Sequence, residues 1–183
     1  MRVIAGSLKG RQLKTLKGLG LRPTSDRLRE TMFNVLADRV ASARVLDGYA
    51  GTGAIGIEAI SRGARDVVFL DKDPRACALV AQNLARCGIM QGYVIIRATA
   101  ARGAGRLRED PAFVPFDVIL LDPPYDQLPA EVLRNMDTLL APAGVVVLEH
   151  ARRHAAPSNE GRLFRSRELR SGDSMLSFYA CRP

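Results

Sequence analysis

Short apolar runs alternate with segments whose apolar residues recur every three or four positions, beginning at Arg44, which predicts alternating strands and helices. The predicted strands cover residues 44–49, 66–71, 93–97, 116–121 and 144–149, and a final antiparallel pair covers 162–170 and 174–181. The predicted helices cover residues 54–62, 74–86, 101–109 and 130–140. Continuously apolar strands that alternate with helices are typical of a parallel sheet covered on both faces, so we predict a doubly wound α/β fold.

The N-terminal residues follow a different pattern. Residues 2–5 and 12–15 are extended stretches separated by turn-forming residues, which favours a β-hairpin. Pro23 disfavours helix before it, and Thr24 or Ser25 is suited to cap the helix that follows. The chain is therefore divided into a basic hairpin extension, residues 1–22, and a main domain, residues 23–183.

Composition limits the classes of protein that fit. A chain of 183 residues with 47% hydrophobic and 25% charged residues is typical of one soluble globular domain. No apolar run is long enough to span a membrane, and the first residues lack the apolar stretch of a signal peptide, so we expect a cytoplasmic protein. The three cysteines have no Cys-x-x-Cys spacing and there are only two histidines, so we expect reduced thiols and no metal site.

The charge distribution adds a candidate partner. The formal net charge is +8, which favours a polyanionic partner, although charge that serves solubility alone is a simpler interpretation. The first thirty residues hold eight basic residues against two acids, which favours a phosphate-binding arm. The candidate nucleic-acid contacts are the basic residues Lys9, Arg11, Lys14, Arg22 and Arg27, together with Thr24.

A glycine-rich turn joins the first predicted strand to its helix. Gly51, Gly53 and Gly56 form a G-x-G-x-x-G pattern, and Asp71 ends the next strand, where an acid accepts hydrogen bonds from ribose hydroxyls. A dinucleotide and S-adenosylmethionine both fit this arrangement. Asp47 favours S-adenosylmethionine, because a carboxylate before the glycines repels a pyrophosphate but attracts a cationic amino acid moiety. Thr52 in the turn and Lys72 beside Asp71 complete the predicted cofactor contacts.

A second motif, Asp122-Pro123-Pro124-Tyr125, ends the fourth predicted strand. Ligands of such sheets bind at the carboxyl ends of the strands, so this motif is expected to face the glycine turn. A base amino nitrogen is a poor nucleophile, and acceptors such as the Asp122 carboxylate and the Pro123 carbonyl orient it for attack. Tyr125 is suited to stack on an extruded base. A rigid proline turn with no ligand is the alternative.

With these motifs the chain resembles the RsmD-like methyltransferases, which make N2-methylguanine in 16S ribosomal RNA. The resemblance covers nearly the whole chain and includes residues 2–6, 9–11, the glycine turn and residues 122–125. Its most specific parts are Arg-Pro-Thr-Ser-Asp-Arg at residues 22–27 and Ser-Arg-Gly-Ala at residues 61–64. It implies a Rossmann-like class I methyltransferase with a seven-stranded, mostly parallel sheet and an N-terminal hairpin. It also implies that Arg22, Pro23 and Thr24 lie at the mouth of the active site.

The chain departs from the family pattern at several positions. Gly48-Tyr49 replaces the usual Leu-Phe, and Asp71 replaces the usual Glu. Thr99 stands where the family often has an Asp that contacts the adenine amino group, and a hydroxyl accepts more weakly than a carboxylate. Asn83 matches the family, but a solvated helix position is the simpler interpretation.

The resulting hypothesis is direct methyl transfer from S-adenosylmethionine to guanine N2 of small-subunit ribosomal RNA, by a monomer acting on the subunit or an assembly intermediate. One alternative keeps the chemistry but changes the target to adenine N6 or cytosine N4 of DNA or RNA. A second is a catalytically weak RNA-binding or ribosome-assembly module. A third is a dehydrogenase, although a dehydrogenase would have no need for the second motif.

Overall fold

The computed structural model describes residues 1–15 and 25–182, which form an eight-stranded sheet with helices on both faces. The strands are β1 (Arg44–Asp47), β2 (Asp66–Asp71), β3 (Tyr93–Arg97), β4 (Phe116–Leu121), β5 (Leu140–Ala151), β6 (Asn159–Glu160), β7 (Leu163–Ser171) and β8 (Ser174–Cys181). The α-helices are α1 (Asp26–Leu36), α2 (Ala54–Ser61), α3 (Pro74–Cys87), α4 (Ala100–Glu109) and α5 (Pro129–Leu133).

The order of the strands, β3-β2-β1-β4-β5-β8-β7-β6, confirms the predicted doubly wound sheet. The first five strands are parallel, and β8 pairs antiparallel with β5. The chain reverses its direction of winding between β1 and β4, and a crevice opens at the carboxyl ends of strands at such a switch point. Two clusters of buried apolar side chains, one on each face, cover the central strands. The expected count of seven strands was wrong, because the two-residue β6 pairs with β7 and adds an eighth.

Several element boundaries differ from the predictions, and each difference has a specific structural reason. β5 is twice as long as predicted because it pairs with β4 on one side and with β8 on the other, to Ala151. The helix predicted over residues 130–140 was wrong beyond Leu133. Asn135 has a φ of 65°, which interrupts the helix, and a short 3₁₀ turn at Met136–Thr138 follows.

The N-terminal segment is more irregular than the predicted hairpin. One antiparallel bridge joins Arg2 to Gln12, and Val3 donates its backbone N–H to the Arg11 carbonyl at 3.0 Å. The buried Glu58 of α2 accepts hydrogen bonds from the N–H groups of Ile4 and Ala5. The segment is therefore fixed to the main sheet by a carboxylate as well as by apolar contacts.

Helix α1 begins at Asp26, and Ser25 caps it by accepting a hydrogen bond from the Leu28 N–H at 3.1 Å. Pro23 and Thr24, the other residues of the predicted helix start, lie outside the described residues. The helix ends at Leu36, where Ala37 adopts a φ of 44°. Among the described residues no helix is both long and apolar enough to cross a bilayer.

Candidate active site

A cleft of about 1060 Å³ lies at the carboxyl ends of the central strands, where the switch point predicts it. Both sequence motifs contribute to its wall: the glycine turn after β1 and the Asp-Pro-Pro-Tyr segment after β4. The end of β2, the first turn of α1, the start of α4, the α5 region, the end of β5 and the turn between β7 and β8 also contribute. The prediction that the two motifs face one crevice is therefore confirmed.

The glycine turn needs glycine for two different physical reasons. Gly51 and Gly53 have φ values of 53° and 78°, in the left-handed region that side chains disfavour. Gly56 lies inside α2, where an added Cβ would lie 2.2 Å from the Phe69 ring on β2. The first two glycines therefore shape the turn, and the third lets α2 pack closely on the sheet.

Asp47 supports this turn from beneath. Its side chain is 1% exposed, and Oδ2 accepts a hydrogen bond from the Gly56 N–H at 2.9 Å. Oδ1 is buried and has no hydrogen-bond partner among the described residues. The pKa of Asp47 is raised to about 7, chiefly by burial and also by the neighbouring carboxylates of Asp122 and Asp71, against the lowering effect of the Gly56 N–H. Asp47 is not among the described residues that line the cleft, and its contact with a cationic ligand group remains a prediction.

The predicted ribose contact, Asp71, lies on the cleft wall and is tied to the turn. Its Oδ2 accepts a hydrogen bond from the Gly51 N–H at 2.9 Å, and its Oδ1 accepts one from the Asp73 N–H at 2.9 Å. Each carboxylate oxygen retains a second lone pair for a ligand hydroxyl. Lys72 and Thr99, both exposed, line the same cleft, and Thr99 caps α4 through a 3.3 Å bond to the Arg102 N–H.

The Asp-Pro-Pro-Tyr segment places its four residues along the cleft wall. Asp122 is half-buried, Pro123 is buried and Pro124 is exposed. The hydroxyl of Tyr125 donates to Glu149 Oε1 at 3.1 Å and is also hydrogen-bonded to the Ser174 hydroxyl. Two polar side chains from β5 and β8 therefore fix the far end of the tyrosine ring.

Glu149 is a site residue that the sequence analysis missed. It is 3% exposed at the carboxyl end of β5, beside β4, and it lines the cleft. Burial raises the pKa of Glu149 to about 8, with the negative charge of Asp122 as the next cause. The sequence held a signal for it, because an acid directly after the apolar run Val145–Leu148 ends a parallel strand next to the strand of the second motif.

Asn83 links the N-terminal segment to the glycine turn. Its Nδ2 donates to the carbonyls of Thr52 at 2.8 Å and Lys14 at 3.1 Å, and its Oδ1 accepts from the Lys14 N–H at 2.8 Å. The side chain is 0% exposed, so the interpretation of Asn83 as a solvated position was wrong. Asn83 therefore holds both Thr52, one of the predicted cofactor contacts, and Lys14 of the basic N-terminal segment.

The predicted nucleic-acid contacts are placed in part. Lys9, Arg11 and Lys14 are exposed on the N-terminal segment, and Arg27 is exposed at the edge of the cleft. Arg22 and Thr24 lie outside the described residues. Among residues 1–15 and 25–182, no three His, Cys, Asp or Glu side chains form a group suited to a metal ion.

The chain is similar to ribosomal RNA methyltransferases over most of its length. Residues 1–180 match the family described as "Conserved hypothetical protein 95". A Bacillus subtilis protein named "Putative rRNA methyltransferase YlbH" is 35% identical over 184 residues, which cover 98% of each chain. Ribosomal RNA small subunit methyltransferase D of Haemophilus influenzae is 39% identical over 127 residues, or 68% of this chain and 64% of that protein.

A solved structure shares the whole fold. The Escherichia coli protein described as "Putative methyltransferase yhhF" superposes with a TM-score of 0.83 and is 29% identical. The match covers 99% of this chain and 97% of that one. The N-terminal segment and the antiparallel end of the sheet therefore belong to the shared architecture, as does the parallel core.

Proposed function

Since the chain belongs to the RsmD-like family of methyltransferases, described as Conserved hypothetical protein 95, we propose that it methylates guanine N2 in 16S ribosomal RNA. S-adenosylmethionine is the methyl donor of this proposal. The observation that carries it is the position of both motifs on one cleft, in a chain whose relatives are named as ribosomal RNA methyltransferases. The expected cellular setting is the cytoplasm, with a monomer acting on the small subunit or its assembly intermediate.

The residues around the glycine turn fit S-adenosylmethionine. The Asp47 carboxylate beneath the turn is suited to attract the ammonium group, and Asp71 is suited to the ribose hydroxyls. Thr52 and Gly53 lie in the turn itself, and Thr99 and Lys72 line the part of the cleft beside Asp71. When bound, the cofactor supplies a methyl group on a sulfonium sulfur, and this sulfur leaves as the new N–C bond forms.

The Asp-Pro-Pro-Tyr segment acts on the target amine. The Asp122 carboxylate and the Pro123 carbonyl accept hydrogen bonds from the two amine hydrogens, which aims the nitrogen lone pair at the methyl group. Both prolines lack a backbone N–H, so Pro123 and Pro124 add no donor that would compete for these acceptors. Asp122 also accepts the proton that the nitrogen loses after transfer, since it is the carboxylate in contact with that hydrogen.

Tyr125 holds the base. A guanine must leave its stack before its N2 reaches a cleft of this depth, and an aromatic face compensates for the lost stacking. The bonds from the Tyr125 hydroxyl to Glu149 and Ser174 fix the ring before the base arrives. The ring therefore loses little conformational freedom on binding the base.

The decisive experiment is methyl transfer from labelled S-adenosylmethionine to undermethylated small ribosomal subunits, with naked 16S RNA and duplex DNA in parallel, followed by nucleoside analysis. We expect label in N2-methylguanosine from the subunit or its RNA. Label in adenine or cytosine, or in DNA, would replace the guanine target with the alternative amino targets. No label on any substrate, together with stabilisation by S-adenosylmethionine, would leave a methyltransferase that acts on a different substrate. If S-adenosylmethionine does not stabilise the protein either, the RNA-binding module is favoured.

The Asp122→Ala variant tests the assigned chemistry within the same assay. We expect turnover to fall by about 10² to 10³-fold, as is found when one group that stabilises a transition state is removed. Thermal stabilisation by S-adenosylmethionine should persist, because the glycine turn is unchanged. Turnover of the variant equal to that of the wild type would contradict the role of Asp122. If NAD stabilises the protein and S-adenosylmethionine does not, a dehydrogenase is favoured.

A further inference from the structure

The register of two parallel strands brings Asp122 and Glu149 side by side. Leu121 of β4 pairs with Leu148 of β5, and the two acids directly follow these residues. Both acids line the cleft, and the side chain of Glu149 interacts with that of Asp122. Glu149 is 3% exposed and Asp122 is half-buried. Two adjacent carboxylates that are shielded from water repel each other strongly, so one proton shared between them is the favoured arrangement.

The hydrogen bonds of Glu149 are consistent with a proton directed at Asp122. The Tyr125 hydroxyl donates to Glu149 Oε1 at 3.1 Å and is also hydrogen-bonded to the Ser174 hydroxyl of β8. This oxygen therefore acts as an acceptor, and a protonated carboxyl group has one further O–H to donate. An O–H donor bound to a carboxylate forms a short, strong hydrogen bond, because the acceptor is charged. Such a bond would fix the Asp122 side chain.

The surroundings of Glu149 supply no cation that would hold it ionised. The titratable and charged groups around it are Asp122 and Tyr125 of the second motif, Asp173 of the turn between β7 and β8, and His150 and Arg153 at and after the end of β5. Arg153 is exposed and donates to the Tyr125 carbonyl at 3.2 Å, and His150 Nε2 is hydrogen-bonded to the Ser177 hydroxyl. Glu149 forms no ion pair within residues 1–15 and 25–182. Burial and the charge of Asp122 accordingly raise the pKa of Glu149 to about 8.

We propose that Glu149 is a positioning residue for methyl transfer: it shares one proton with Asp122 and thereby orients the Asp122 carboxylate and the Tyr125 ring toward the target base. The proposal rests on the proposed function, in which Asp122 contacts the amine. One oxygen of Asp122 accepts the hydrogen bond from Glu149, and the other is left for an amine hydrogen. When the amine loses its proton to Asp122, the pair holds two protons, and one of them returns to solvent before the next turnover.

The first test follows the proton in the free protein. Carbon-13 NMR of protein labelled at the glutamate side-chain carboxyl carbon is recorded from pH 5 to 9, and Glu149→Gln identifies the signal. We expect Glu149 to titrate near pH 8. Asp122→Asn should lower this midpoint by about one pH unit or more, because the neighbouring negative charge is removed. A wild-type midpoint near 4.5, or an unchanged midpoint in Asp122→Asn, would overturn the shared proton.

The second test measures kcat for methyl transfer to undermethylated small subunits across the same pH range. The wild-type kcat should fall above pH 8, by up to about tenfold per pH unit, because Glu149 then loses its proton. Glu149→Ala removes both contacts and should lower kcat at pH 7 by about 10 to 10²-fold, while the affinity for S-adenosylmethionine persists. Glu149→Gln keeps an acceptor for Tyr125 and a donor for Asp122 at every pH, so it should recover most of this kcat and lack the alkaline decline.

Glu168→Gln is the matched control. Glu168 is an exposed carboxylate on β7 that accepts hydrogen bonds from Ser177 at 3.1 Å and Arg165 at 2.8 Å, outside the cleft lining. This variant should keep the pH profile of the wild type.

The other outcomes separate the positioning role from the proposed function. If Glu149→Gln is as slow as Glu149→Ala, or declines above pH 8 as the wild type does, the positioning role is overturned. If Glu149 titrates near pH 8 but the wild type methylates no RNA, the proposed function fails and the positioning role fails with it, while the shared proton stands. Should Glu149→Ala fail to fold, the pH profile of Glu149→Gln and the NMR titration decide the question.

Discussion

At the scale of single residues, the candidate site depends on carboxylates whose environments differ. Asp71 is half-buried and accepts two backbone hydrogen bonds, whereas Glu149 is buried and interacts with the side chain of Asp122. Burial beside a second acid favours the protonated form of a carboxyl group. We therefore predict that Glu149 is a carboxylic acid at neutral pH and that it is a neutral partner for Asp122 and Tyr125.

This protonation state predicts a pH-dependent stability. The folded protein holds the Glu149 proton up to about pH 8, whereas an unfolded chain loses it near 4.5, so the folded state binds more protons between these values. The free energy of unfolding of the wild type therefore falls as the pH rises through this window, by at most about 1.4 kcal/mol per pH unit from this one group. Glu149→Gln has no such proton to lose.

We expect Glu149→Gln to gain stability relative to the wild type as the pH rises from 5 to 8. Urea unfolding of both proteins at three or four pH values measures the difference. Asp47, whose raised pKa also lies within this window, is present in both proteins and cancels to first order. A difference that does not change with pH would show that Glu149 is ionised in the folded protein.

At the scale of elements, the site depends on how closely two helices approach the sheet. α2 approaches β2 through Gly56, and α4 approaches it through Gly103, where an added Cβ would lie 2.7 Å from Leu70 Cδ1. The neighbour of Gly56 is a buried aromatic ring, which yields less readily than the end of a leucine side chain. The position of the glycine turn therefore follows from the packing of α2 as well as from the conformation of the turn.

A pair of glycine substitutions tests this packing. Gly56→Ala should destabilise the fold by about 1–3 kcal/mol, because the new methyl group overlaps the Phe69 ring. Gly105→Ala is the matched control on α4, where an added Cβ meets nothing within 4 Å. It should stabilise by about 0.5–1 kcal/mol, because alanine is the better helix former. Thermal unfolding measures both, and equal effects of the two substitutions would contradict the proposed role of Gly56.

At the scale of the whole molecule, the N-terminal segment joins the basic surface to the cofactor turn. Glu58 holds the backbone at Ile4 and Ala5, and Asn83 holds Lys14 and Thr52 together. The side chains of Lys9, Arg11 and Lys14 are left exposed on this fixed backbone. A phosphate chain bound there would lie at a set position relative to the cleft.

The salt dependence of RNA binding tests this surface. Replacing Lys9, Arg11 and Lys14 together by Ala should reduce the slope of log K against log salt concentration by about 2, since each lost phosphate contact contributes about 0.7–0.9. Affinity for S-adenosylmethionine should not change. The matched control replaces Arg39, Arg65 and Arg108, three exposed cations outside the cleft lining. A control with the same loss of slope would mean that net charge alone binds RNA.

The sequence by itself determined the alternation of elements, the bounds of β2, β3 and β4, the glycine turn and the second motif. These features are local, because a strand is recognised from consecutive apolar residues and a turn from its glycines and prolines. The crevice also followed, because right-handed crossovers place the carboxyl ends of parallel strands along one edge. The predicted boundaries were wrong where a strand's length depends on a partner distant in sequence. Pairing with β8, for example, extends β5 to Ala151.

Only the tertiary structure identified Glu149 and Asn83 as buried polar groups of the site. In the sequence, Glu149 is marked only as an acid that ends an apolar strand and Asn83 only as a match to the family pattern, and neither signal shows that the side chain is buried. Their chemistry comes from neighbours 24 to 69 positions away, such as Tyr125 for Glu149 and Lys14 for Asn83. Burial and the pairing of polar atoms depend on how the chain packs in three dimensions, and that packing decides which polar residues lose their water.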